Sequence, residues 1–161
     1  MKKLLLILVL AVMCSSVARA NDLVEGILAH TNGDYATAYK VYSPLAMEGN
    51  AHAQSNLGSM YDKGEGVTQD FEEAMKWYRK AAEQGSTSAQ YKLGAMYSRG
   101  DGPLQDYVRA QMWFILATNK GGDEKIKMVR DLMAKQMTPV QIAEAQKMAR
   151  ECVKKNYKNC E

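Results

Sequence analysis

Slid along itself by 36 positions, the chain matches without a gap: NLGSMYDKGEGVTQDFEEAMKWYRKAAEQG, from Asn56, falls on KLGAMYSRGDGPLQDYVRAQMWFILATNKG, from Lys92. Leu57 meets Leu93, Gly58 meets Gly94, Tyr61 meets Tyr97, and Gly64 and Gly66 meet Gly100 and Gly102. Asp70 meets Asp106, Ala74 meets Ala110, and Trp77 meets Trp113. The same step carries Asp70, Ala74, Tyr78, Ala82 and Gly85 back to Asp34, Ala38, Tyr42, Ala46 and Gly49. A fixed period of this size marks a repeat architecture, in which each unit is one supersecondary element that buries its apolar face against its neighbours.

Within a unit the apolar spacing is helical. Ala53, Leu57, Met60 and Tyr61 share one face of a first helix, and Ala74, Trp77, Tyr78 and Ala81 one face of a second. Asn50 and Ser86 are cap residues before the first helices, Asp70 with Glu73 has the form of a capping box before a second, and Gly85 is a stop. Gly58 and Gly94 fall in mid-helix, where glycine costs about 1 kcal/mol of propensity, so a close crossing of the partner helix is the expected compensation. Gly64-Glu65-Gly66, set before a helix start, raises the question of a phosphate loop. No third glycine or neighbouring Lys completes one, and Glu65 and Asp101 would repel phosphate, so the pair reads as a turn with solvated carboxylates.

The Leu-Gly pair, the following Tyr, the Gly-x-Gly-Val, the Gln-Asp-aromatic and the Trp-Tyr-x-x-Ala-Ala between Leu57 and Ala82 resemble the Sel1-like repeat family, relatives of tetratricopeptide repeats. The second copy departs from the pattern with Pro103 for the Val and Phe114 for the Tyr. The resemblance implies an all-α, right-handed α/α solenoid of Sel1-like and tetratricopeptide-like hairpins with a C-terminal helical cap. The expected parts are a signal peptide over 1–20, a tighter hairpin over 21–50, repeats over 51–86 and 87–122, and capping helices over 123–161. Hairpins should start near residues 22, 51 and 87. Past residue 122 the helical period persists but the glycines are lost, and Thr138-Pro139 is a helix start. This tail resembles the capping pair of secreted members, whose outer face meets water.

The leader MKKLLLILVLAVMCSSVARA has basic, apolar and small-x-small parts in the order of a secretory signal cleaved after Ala20, so a periplasmic or secreted protein is expected. No later apolar run is long enough to cross a membrane. Cleavage removes Lys2, Lys3 and Arg19 from 21 basic residues and leaves 18 against 18 acidic ones, so the mature chain is neutral and carries no field to gather nucleic acid. It also removes Cys14. The remaining Cys152 and Cys160 read as a disulfide in an oxidising compartment. Eight residues of straight helix would separate them by about 12 Å, too far to bridge, so the helix should end between them, with Asn156 to Asn159 as the reversal.

No nucleophile with its base, carboxylate pair or Cys-x-x-Cys stands out, and His30 and His52 read as lone surface histidines; no catalytic residue, metal or cofactor is expected. A solenoid does offer a concave face. The exposed side of one first helix holds His52, Ser55, Asn56, Ser59, Asp62 and Lys63, and that of the next holds Ser88, Tyr91, Lys92, Ala95, Ser98 and Arg99. His52, Asn56, Lys63, Tyr91, Lys92 and Arg99 are the candidate contacts for an extended peptide, whose carbonyls and carboxylates need donors. The resemblance implies a non-enzymatic interaction module of the bacterial envelope, a scaffold, adaptor or inhibitor with a protein or peptide partner. Some cysteine-rich relatives are associated with β-lactam binding, so a weak envelope hydrolase is the alternative, although no Ser-x-x-Lys occurs.

Overall fold

The computed structural model describes residues 21–102, 105–119 and 123–160; the leader expected over 1–20, and Pro103, lie outside the described residues. Residues 21–31 are helical (α1), followed by α2 (Tyr35–Met47), α3 (Ala51–Lys63), α4 (Phe71–Ala82), α5 (Thr87–Arg99), α6 (Tyr107–Thr118), α7 (Glu124–Ala134) and α8 (Pro139–Lys154). Among the described residues there is no strand. Consecutive helices pack pairwise as α3 on α4 and α5 on α6, and each hairpin stacks on the next through α2–α3, α4–α5 and α6–α7, which makes an α/α solenoid.

Local chemistry explains the boundaries. Asp34, Asp70 and Asp106, one period apart, cap α2, α4 and α6 by accepting the backbone N–H groups of Thr37, Glu73 and Arg109. Asn50 and Ser86 do the same for α3 and α5. Asp70 caps without a box, because the Glu73 carboxylate turns forward to Lys76 at 2.7 Å. The capping box is at Thr138 and Gln141, where Pro139 also opens α8. Gly64 and Gly100 end α3 and α5 in the left-handed conformation, at φ 71° and 78°. The Gln of each Gln-Asp pair closes the loop: Gln69 Nε2 donates to Asp62 O at 2.8 Å and Gln105 Nε2 to Ser98 O at 2.7 Å.

Inside each hairpin a glycine faces an aromatic ring. A Cβ placed on Gly58 would fall 2.9 Å from Tyr78 and one on Gly94 2.7 Å from Phe114, so the expected close crossing is present. The tighter first hairpin uses the same device, with Gly26 against Tyr42 at 2.6 Å. Around these crossings Ala38, Tyr42, Leu57, Met60 and Trp77 form one buried cluster, and Tyr78, Leu93, Met96, Trp113 and Phe114 anchor a second.

The C-terminal cap is made of two helices, as expected, but they are not packed as the helices of a repeat are. One period on from Gly94 stands Arg130, which carries a long side chain where the repeats have none; it reaches back to α6 and donates to Thr118 Oγ1 at 3.1 Å. Helix α8 accordingly does not lie along α7 but packs on α6, burying Ala145, Ala149 and Cys152. Beyond Lys154 the helix ends as expected, Asn156, Tyr157 and Asn159 adopt positive φ, and Cys152 is bridged to Cys160 across a Cα separation of 4.8 Å. The closed turn reaches back to α4, where Lys158 Nζ lies 3.6 Å from Glu83.

Three outcomes test this frame. Gly94→Ala drives a methyl into the buried Phe114 ring and the Ala110 carbonyl, and a urea titration should show a loss of about 1–3 kcal/mol, whereas Ala95→Gly on the same helix should cost about 1 kcal/mol or less. Burial, followed by the negative Asp62, holds the Tyr78 phenol above its ordinary value of 10.0, and the hydrogen bond with Tyr39 pushes Tyr61 up to about 12. A raised phenol pKa gives stability that is fully present below pH 10 and is lost as the pH rises past it, so the melting temperature should fall in that range, and less steeply in Tyr78→Phe. Finally, the protein's mass should not change on alkylation without reductant, and Cys152→Ser with Cys160→Ser should lower stability by about 2–3 kcal/mol.

Candidate functional site

Helices α3 and α5 present corresponding faces, because residues one period apart occupy the same place in their hairpins. At the N-terminal end of α3, a groove of about 490 Å³ is lined by His52, Ser55 and Asn56 and, across it, by Gln84 and Ser86 to Ser88 at the α4–α5 turn. Its lining is hydroxyls, amides, one imidazole and turn backbone, with no carboxylate and no Lys or Arg. His52 and Ser88 are exposed, while Asn56 is half-buried beside the Tyr42 phenol. Such a surface offers donors and acceptors in mixed order, which suits the backbone of an extended chain better than a single charged group.

The remaining candidates lie along the same face but are not equally available. Lys92 reaches across from α5 to Asp62 on α3, with Nζ 4.0 Å from the carboxylate, and Asp62 also receives the Tyr78 hydroxyl at 3.5 Å. Asp62 is therefore a mostly buried link between units rather than the exposed position the helical spacing suggested. Tyr91 is half-buried, its ring 5.7 Å from that of Phe114, so one side belongs to the core and the edge to the surface. Lys63 and Arg99 are exposed at the far ends of α3 and α5, each beside its own glycine loop. The structure thus brings His52 and Asn56 together in one groove, sets Lys92 and Tyr91 next along the face, and leaves Lys63 and Arg99 at its other edge.

The loops correct a second expectation. Glu65 is not a solvated turn carboxylate: its two oxygens meet His30 Nε2 at 2.9 Å and Lys63 Nζ at 3.4 Å, and Asp101 is paired with Arg99. His30 is correspondingly not a lone histidine, since it ties α1 to the loop of the next unit and packs edge-on to Tyr35 at 5.3 Å. Gly66 sits against Tyr35, where a Cβ would fall 2.8 Å from that residue's own, and Gly102 approaches Phe71 in the same way at 3.3 Å. The second glycine of each pair therefore seats the loop on the preceding unit. Sequence reasoning missed this contact, although Tyr35 and Phe71 stand one period apart and both follow a capping Asp.

Two buried glutamines were also missed. Gln54 and Gln90, one period apart, send Nε2 to the Ala46 and Ala82 carbonyls at the ends of the preceding helices, and Gln84 Nε2 adds a bond to Gln54 Oε1 at 2.8 Å. Among the described residues no cluster of three His, Cys, Asp or Glu side chains is placed to share a metal ion.

Known proteins share this arrangement. The family model for the Sel1 repeat matches residues 51–86 and 87–122. A protective antigen of uropathogenic Escherichia coli strains displaying an SLR fold superposes with a TM-score of 0.81 at 29% identity, over 88% of this chain and 31% of that one. A Sel1 repeat protein from Oxalobacter formigenes superposes with a TM-score of 0.63 at 34% identity, over 67% of this chain and 44% of that one. The chain thus spans less than half the length of either solved relative. No curated protein matches the sequence. Caps, glycine crossings and loop glycines recur where the family model places its two units, and the chain is a Sel1-like repeat protein.

Proposed function

We propose that the protein is a non-enzymatic binding module of the bacterial envelope that holds an extended segment of a partner protein along the α3–α5 face. Sel1 repeats are generally protein-interaction modules, which supports the class of activity. The observation that carries the site is the polar groove of about 490 Å³ between His52, Ser55 and Asn56 on one unit and the Ser86–Ser88 turn on the next. A bound backbone would lie against these hydroxyls and amides, with Tyr91 and Lys92 next to it and Arg99 and Lys63 at the edge for an acidic end. The leader, with its small-x-small end at Ala20, supports export, and the neutral chain left after cleavage supports a protein rather than nucleic acid as partner.

The test is site-directed photo-crosslinking in the native cell, with the reactive residue at position 55 or 88 and a control at exposed Lys147 on α8. One protein should be captured from both groove positions and not from the control. Ser55→Arg with Ser88→Arg, which fills the groove from positions that carry no core packing, should abolish capture with the melting temperature within a few degrees of wild type. Capture that is equal from groove and control positions, or that survives the two arginines, would sink the groove. Cleavage of the leader is read in the same cells from the N-terminal sequence of the exported chain, which should begin at Asn21.

A further inference from the structure

Past Lys154 the chain turns back on itself in a conformation that its residue types do not favour. Asn156, Tyr157 and Asn159 stand at φ 52°, 65° and 49°, in the left-handed region, which asparagine tolerates and a bulky residue such as tyrosine seldom adopts. The bridge from Cys152 to Cys160 closes this segment across a Cα separation of 4.8 Å. Lys158 Nζ, 3.6 Å from Glu83, and the Asn159 backbone N–H, which donates to Glu83 Oε1 at 3.5 Å, add links to α4. Lys158 and Asn159 are exposed, and links of that kind contribute little. Residues 155–160 thus form a strap laid against α4 and α6, held in an unfavoured shape by a covalent bond.

The two sulfurs of that bond are not equivalent. Cys152 is 1% exposed, on the face of α8 that packs on α6, whereas Cys160 is half-buried and lines a cleft of about 310 Å³. Facing it across the cleft are Arg79 and Glu83 of α4 and Trp113 of α6. Glu83 is engaged by Lys158, and Arg79 is a cation, so a thiolate entering the cleft meets positive charge beside Cys160 rather than an unpaired carboxylate.

We infer that Cys160 is the exchange site of a thiol-operated strap, opened by a dithiol reductant. One thiolate of the reductant attacks Cys160 Sγ, the bond to Cys152 Sγ breaks, and the electron pair leaves on Cys152, which takes up a proton from water. The second thiolate of the reductant then attacks the reductant's own sulfur in the mixed disulfide and expels the Cys160 thiolate. In sum, one protein disulfide becomes two thiols and one dithiol becomes a disulfide. With the bond open, the backbone of residues 156–159 is free to return to negative φ, and the strap leaves Glu83. Tyr157 and Cys160, which pack against the core cluster containing Trp113, go with it, and Trp113, 1% exposed under the closed strap, is uncovered. The hairpins stay folded, because the glycine crossings that hold them do not involve the strap. None of the groove residues takes part, so the inference is independent of the groove.

Reduction of the purified, bridged protein under native conditions tests it. After brief exposure to glutathione, with free thiols blocked by alkylation and the chain cut by trypsin, the glutathione adduct should be found on the Asn159–Glu161 peptide and not on Glu151–Lys154. The rate of reduction by dithiothreitol should stay within about twofold on addition of about 1 M urea, whereas a bridge reached only through global unfolding would be reduced about fivefold faster or more. In the reduced protein, amide exchange at residues 155–160 should reach the rate of a free peptide while α5 and α6 remain protected. An adduct on Cys152, a rate that climbs with urea as global opening requires, or loss of protection extending through α6 would overturn the proposal.

Discussion

The contact between a mid-helix glycine and an aromatic ring sets the spacing of the two helices in every hairpin, and the rest of the fold follows from it. With no Cβ at Gly26, Gly58 or Gly94, the rings of Tyr42, Tyr78 and Phe114 lie directly on the opposing backbone. The propensity lost at each glycine, about 1 kcal/mol, is offset by burial of a whole ring, worth about 1.5–3 kcal/mol. The consequence is visible where the device is missing. Arg130 occupies the next place in the series, the close crossing is impossible there, and α8 finds its apolar surface on α6 instead. The regular part of the solenoid thus ends where the series of crossing glycines does.

Much of this was legible in the residues, for reasons that are local. Period, capping residues and apolar faces depend on neighbours three or four positions away or on the next copy of the same unit, and the capping Asp residues, the crossing glycines Gly58 and Gly94 and the hairpin starts at Ala51 and Thr87 lie where spacing put them. What escaped depends on contacts between unlike parts of different units. Nothing local says that Glu65 meets His30, 35 residues away, or that the Tyr78 hydroxyl draws Asp62 out of solvent. The docking of α8 on α6 escaped for the same reason: loss of the glycines was plain, but where the last helix goes depends on its contact with an element two helices back. Of the six candidate contacts, His52 and Asn56 share a groove, whereas Lys92 and Tyr91 are partly engaged in holding the units together.

The engagement of Lys92 matters for how such a surface changes without loss of the fold. Positions 55, 56, 88, 91 and 92 differ between the two copies, while the glycines, the capping Asp residues and the buried glutamines recur. Recurrence falls on groups with a fixed geometric duty: Gln54 and Gln90 add a side-chain donor to the Ala46 and Ala82 carbonyls, which also accept from the Gly49 and Gly85 backbone, so an apolar substitute would lose one buried hydrogen bond at a cost of about 0.5–1.5 kcal/mol. Variation falls on side chains that project from the α3–α5 face and are held by that frame. A surface of this kind can be retuned residue by residue toward a partner, because its backbone is positioned by contacts on the other side of the same helices. Where a face residue also bridges units, as Lys92 does through Asp62, its replacement acts on the spacing of the units as well as on the partner, so the positions free to change are those, like Ser55 and Ser88, that touch only the groove.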